Sequence, residues 1–151
     1  MALVEVDNRS AVPVAAEPLV AQAGFILDRL GLHPDVDLAI SLVDPEEITD
    51  LHVRWMDLPG PTDVLSFPMD ELHVPGSGET AEPGMLGDVV ICLQVAAQQG
   101  ADAGHGLPGE LELLLTHGIL HLLGHDHAEP EEHAVMFGLQ DELLAAWRGR
   151  G

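Results

Sequence analysis

The sequence predicts one α/β (α+β) domain over residues 1–151, a small mixed sheet packed with helices around a central buried helix. Three observations carry that expectation. The chain has 151 residues, 46% of them apolar, enough for one hydrophobic core and too apolar for disorder to dominate. Stretches with a two-residue apolar period are interspersed with stretches of helical period. Residues 110–123 are apolar almost all round, the mark of a helix surrounded by other elements.

Residues 3–6 read as a short first strand. Pro18 opens a helical pattern that puts Leu19, Ala23, Ile26, Leu27 and Leu30 on one face, and Gly31 is placed to stop it. Residues 37–43 alternate and carry β-branched side chains, as a strand does. Asp44-Pro45-Glu46-Glu47 has the form of a helix start, with Asp44 as N-cap, proline at the first position and acids in the first turn. That helix should bury Ile48, Leu51 and Trp55 and carry Arg54 near its end. Residues 57–61 form a turn, and 62–67 a strand ended by Pro68. Residues 70–83, rich in proline and glycine, are expected to be a mobile loop. A strand over 86–93 and a helix over 94–103 follow, then a break at 104–109. The helix over 110–123 comes next, and a last helix over 130–147 starts with Glu131 and Glu132 in its first turn. No repeat and no interdomain linker interrupts this order.

Composition removes several function classes. Cys92 is the single cysteine, which excludes an internal disulfide and a cysteine-based metal site. No apolar run is long enough to span a membrane, and the first residues lack the basic start and apolar stretch of a secretory signal, so a cytoplasmic protein is expected. All five basic residues are arginine (Arg9, Arg29, Arg54, Arg148, Arg150), against 26 acids and a net charge of −21. Such a surface repels nucleic acid at long range, so RNA as a substrate requires a local cationic site or a partner.

The segment that carries chemistry is Thr116-His117-Gly118-Ile119-Leu120-His121-Leu122-Leu123-Gly124-His125-Asp126-His127. On a helix, His117 and His121 project from one face a turn apart. Gly124 can end that helix in a left-handed conformation, and the chain can then return His127 to the other two. Three imidazoles suit Zn²⁺, one per chain, and leave a fourth position open, as catalytic rather than structural sites do. Burying such rings without partners would cost roughly 1–3 kcal/mol each, which argues against a bland reading of the cluster. The spacing His-x-x-x-His-x-x-Gly-x-x-His is that of metzincin peptidases. Those enzymes use a glutamate directly after the first histidine, where this chain has Gly118; such a residue is expected to aim at the metal, and glycine cannot move a proton.

The chain resembles the YbeY family of rRNA-maturation endoribonucleases. The resemblance rests on His117-Gly118, Leu120-His121-Leu122, Gly124 and Asp126-His127. It rests also on Arg54 followed by Thr62-Asp63-Val64-Leu65-Ser66-Phe67-Pro68 and then Leu86-Gly87-Asp88-Val89-Val90. His125 stands where tyrosine is common in the family, and His52 where asparagine is common. The resemblance implies a metal-dependent, single-strand-specific endoribonuclease acting in small-subunit (16S) rRNA 3′-end maturation and ribosome quality control. It implies zinc on His117, His121 and His127, a catalytic role for Arg54 and His117, and substrate contacts from Arg54 and Ser66. Asp126 and His125 are candidates for the layer behind the ligands; Asp126 either orients an imidazole or caps a turn, and His125 faces solvent or that layer. The implied partners are rRNA on the small ribosomal subunit, a small-subunit ribosomal protein and an Era-type GTPase. Two other functions fit part of the pattern: a metzincin-like metallopeptidase, opposed by Gly118, and a ribosome-assembly factor acting mainly by binding, which the acidic surface favours. Asp63 and Asp88 are expected to stabilise turns or hold Arg54. His33, His73 and His105, in loop-like stretches, are expected to be solvated.

Overall fold

The computed structural model describes residues 3–56, 62–125 and 129–150. The turn expected at 57–61, the side chain of Trp55, and the site candidates Asp126 and His127 lie outside the described residues. The elements run β1 (Val4–Asn8), α1 (Glu17–Arg29), β2 (Val36–Val43), α2 (Pro45–Met56), β3 (Val64–Pro68), β4 (Gly84–Cys92), α3 (Leu93–Ala103), α4 (Gly106–Leu122) and α5 (Pro130–Arg148). The strands form one sheet in the order β1-β2-β4-β3. β1, β2 and β4 are mutually parallel, and β3 runs antiparallel to β4 at the edge. The expected mixed sheet with packed helices is therefore what the chain forms.

Side-chain alternation along the strands divides the core between the two faces of the sheet. Leu38, Ile40 and Leu42 of β2 and Val89 and Ile91 of β4 join Leu19, Ala23 and Ile26 of α1, Leu115 and Ile119 of α4 and Met136 of α5 in the main core. Val43, Val90 and Cys92 point the other way, into a smaller cluster with Ile48 of α2 and Leu65 of β3. Within α4, Leu111, Leu114, Leu115, Ile119, Leu120 and Leu122 are all buried, and the helix touches α1, α3, α5, β3 and β4. This is the central helix that its apolar sequence predicts. It begins earlier than expected, at Gly106. Pro108 falls in the first turn, where its missing N–H costs no helical hydrogen bond.

A bulge at Leu86 shifts the register between β2 and β4: Asp37 pairs with Met85 and Leu38 with Gly87. Gly87 takes φ +145°, and a side chain there would run into the backbone of Phe67 and the Leu122 side chain of α4. The bulge thus lets the last turn of α4 lie close on the sheet, next to the histidines.

Asp44 departs from expectation. Its carboxylate does not cap α2; Oδ1 accepts hydrogen bonds from the Ala11 amide at 3.0 Å and from Gln94 Nε2 at 2.5 Å. It thereby ties the segment after β1 and the start of α3 to the start of α2. The Gln94 side chain first, and the Ala11 amide second, hold the Asp44 pKa below its ordinary value of 3.8. A depressed folded-state pKa contributes stability above the unfolded value and loses it as pH falls through the folded one. Asp44→Asn keeps an acceptor but removes the titration. The variant should therefore lose less stability than the wild type between neutral pH and pH values below 3.8, measured by denaturant unfolding.

The candidate metal centre

His117 and His121 lie a turn apart on α4, half-buried at the end of the central helix. Their Nε2 atoms are 3.1 Å apart, and the ring planes cross at 73°. Either a proton bridges these nitrogens or both lone pairs point at a shared cation. Two nitrogens bound at about 2.0–2.1 Å to a tetrahedral zinc would stand about 3.3 Å apart, so the separation of this pair is close to what such an ion needs.

His117 is held from behind. Its Nδ1 lies 2.8 Å from Gln140 Oε1 on α5, so an Nδ1–H donates to the amide oxygen and Nε2 keeps its lone pair. Gln140 is 4% exposed, the polar residue in the buried stripe Met136, Gln140, Leu143, Leu144 and Trp147. Sequence reasoning missed it, although one amide in an otherwise apolar stripe was a readable signal. A second buried amide, Gln22 of α1, donates to Thr116 Oγ1 at 3.0 Å and to the Glu112 carbonyl at 2.9 Å. It anchors the turn of α4 that presents His117.

Gly124 ends the helix as expected, with φ +94°. The His125 amide donates to the Leu120 carbonyl at 3.0 Å and the Gly124 amide to the His121 carbonyl at 3.1 Å, the two bonds of a Schellman turn. The turn reverses the chain immediately after His121. His125 is half-buried.

Gly118 faces the sheet, against the expectation that the residue after the first histidine aims at the metal. A Cβ there would stand 2.7 Å from Val89 Cγ1 and 3.4 Å from Ser66 Oγ. No glutamate fits there. Ser66 Oγ donates to the Gly118 carbonyl at 3.0 Å and so links β3 to the helix beside the pair. Arg54 is not brought into contact with the histidines: it pairs with Asp50 at 3.2 Å on the exposed side of α2, its side chain 64% exposed. Asp63 does not hold Arg54 either. Its Oδ1 accepts from the Val64 amide at 2.7 Å, and with the Gln99 amide turned so that its nitrogen faces the carboxylates, Gln99 donates to Asp63 Oδ2 at 3.2 Å and to Glu110 Oε2 at 3.0 Å.

His73 and His105 are exposed, as expected, and His33 is half-buried; each of the three also has a partner. His105 Nε2 is 2.7 Å from the buried Glu110 carboxylate, His73 Nε2 is 3.2 Å from Glu79, and His33 Nδ1 accepts from the Asp35 amide at 3.0 Å. A cavity of about 370 Å³ between residues 13–15, α1 and the start of α4 has Leu19, Leu111 and Trp147 in its wall and neither His117 nor His121.

If Gln140 orients His117 toward a cation, removing its acceptor should lower metal affinity about 10- to 100-fold, the usual effect of losing such a support. Gln140→Leu should show that loss in chelator competition, and Gln140→Glu, which keeps an acceptor oxygen, should recover most of it. A role in packing alone would lower the melting temperature of both variants and leave metal affinity unchanged.

Residues 6–148 match the family model described as Endoribonuclease YbeY. The chain is 61% identical to the Endoribonuclease YbeY of Thermobifida fusca, over 96% of this chain and 94% of that protein. It is 56% identical to the one of a Nocardioides species, over 97% and 99% respectively. The solution structure of TM1509 from Thermotoga maritima has the same fold, with a TM-score of 0.64 at 24% identity, covering 99% of this chain and 90% of that one.

Proposed function

The chain belongs to the YbeY endoribonuclease family, and from that premise we propose that it is a metal-dependent endoribonuclease that cuts single-stranded RNA in the 3′-end maturation of small-subunit rRNA. The observation that supports the proposal is the approach of the His117 and His121 Nε2 atoms to 3.1 Å, with Gln140 fixing the first ring. These two, together with His127, would hold one zinc ion per chain. Zinc in such a site supplies Lewis acidity to a phosphoryl oxygen.

The chain's own residues do the rest. Gln140 keeps the His117 lone pair turned toward the site. The Ser66 hydroxyl of β3 donates to the carbonyl of Gly118, the residue after His117, and keeps lone pairs that would accept a hydrogen bond from the substrate. Arg54 supplies the positive charge for the phosphate. Its exposed ion pair with Asp50 is worth only about 0–1 kcal/mol, so exchanging Asp50 for a phosphate is cheap. The guanidinium fork suits two phosphate oxygens at once.

The peptidase alternative has no support at Gly118, where the sheet leaves no room for a catalytic glutamate. The acidic surface fits delivery by the ribosome: a net charge of −21 favours a basic small-subunit ribosomal protein as partner and suits an enzyme that does not capture free RNA by charge. An Era-type GTPase and a cytoplasmic location complete the proposal. Among the described residues no helix is long and apolar enough to cross a membrane. Metal-loaded protein incubated with rRNA fragments and with an unstructured polypeptide should cut the RNA in its unpaired segments and leave the polypeptide whole. Cleavage of the polypeptide with intact RNA would replace this reading with the peptidase.

A further inference from the structure

Positive charge is scarce here, and the described arginines are largely engaged. Arg9 is tied to Asp7 and Glu47, Arg54 to Asp50 and Arg148 to Glu112, while Arg150 lies over the Trp147 ring. Five arginines against 26 acids can engage few phosphates at once, so contacts with phosphate supply little of the affinity for RNA. Beside the histidine pair, α5 presents a second means. His133 and Phe137, a turn apart, stack with ring centroids 4.3 Å apart and planes within 17°. Phe137 is half-buried, packs against the main core and meets the His117 ring at 5.7 Å and 56°. His133 is exposed. The rings form a contiguous series from His117 outward, tilted between His117 and Phe137 and flat between Phe137 and His133.

Flat rings of this kind attract the faces of nucleobases, and a base can offer a face only when it is unstacked from its neighbours, as in a single strand. Glu131 and Glu132, in the turn of α5 before His133, repel the phosphate backbone and leave the base as the part that can approach. We propose that His133, backed by Phe137, is a stacking platform for one unpaired base of the RNA bound at the histidine pair. The proposal rests on the endoribonuclease reading and names the feature of the substrate that this site selects.

The test is equilibrium binding of a short 2′-O-methyl oligonucleotide, which resists cleavage, and of the same backbone with abasic positions, to the metal-loaded protein. The wild type should bind the base-bearing strand more tightly. Each stacked base is worth about 1–3 kcal/mol, so His133→Ala should weaken that strand roughly 5- to 150-fold and leave the abasic strand unchanged. His133→Phe, which restores a flat ring, should recover binding. The log–log salt slope should stay shallow, about −1 to −2, in all three proteins. A wild type that cuts RNA yet binds both strands alike, or a His133→Ala variant that binds the base-bearing strand normally, overturns the platform and leaves the endoribonuclease reading standing. A wild type that neither cuts RNA nor binds either strand overturns both.

Discussion

Arg54→Ala should keep its metal and its fold and lose about 10²–10³ in the rate of rRNA cleavage, the usual cost of removing one donor that meets a developing charge. Arg54 contributes no electron pair to a metal, and its side chain is mostly exposed, so its removal touches neither the histidine pair nor the core. Its present partner, Asp50, lies one turn back on the same helix, and an exposed pair of this kind adds little to stability. Arg54→Lys should recover only part of the rate, because an ammonium restores the charge without the two-pronged geometry. A cation that merely compensates the end of α2 would give another result: a stability loss of about 0.3–1 kcal/mol and unchanged cleavage. Metal content, melting temperature and single-turnover cleavage on the three proteins separate the two outcomes.

Most of the fold was legible because the periods in the sequence are strong. The apolar face of α1, the alternation along β2 and the all-round apolarity of α4 each report burial directly, and each element formed where its pattern placed it. Boundaries failed where a local signal competed with tertiary structure. Asp44 has the sequence form of an N-cap, but donors from Ala11 and Gln94, distant in the chain, claim its carboxylate. The glycines and proline of 104–109 suggested a break, yet the first turn of a helix tolerates proline, and α4 starts at Gly106.

The site divides in the same way. The pairing of His117 with His121 follows from helical spacing alone, and the left-handed turn at Gly124 follows from the need for a residue without Cβ. The lone amide in the apolar stripe and the one-turn spacing of His133 and Phe137 were readable, but what Gln140 and this ring pair touch was not. They meet His117 through the packing of α5 on α4, a contact across more than a dozen residues that no local period encodes. Gly118 was noticed for a proton it cannot carry, whereas Val89 opposite explains why it is glycine. His105 is exposed, as its loop-like neighbours suggest, but its contact with the buried Glu110 in the first turns of the next helix was not legible from them.

His121→Ala bears on the central claim most directly. The substitution removes one of the two converging nitrogens, and alanine is the best helix former, so α4 and its Schellman turn, whose bonds use only backbone atoms, stay intact. Zinc bound through neutral imidazoles cannot keep its affinity when a ligand is lost from an open site. The decisive measurement is zinc per chain and RNA cleavage on the same preparations of the wild type and His121→Ala, each before and after chelation and reloading. The account predicts close to one zinc per wild-type chain, with cleavage that disappears on chelation and returns on reloading, and neither metal nor cleavage in the variant. A His121→Ala protein that folds, holds no metal and still cuts RNA at the wild-type rate would contradict it.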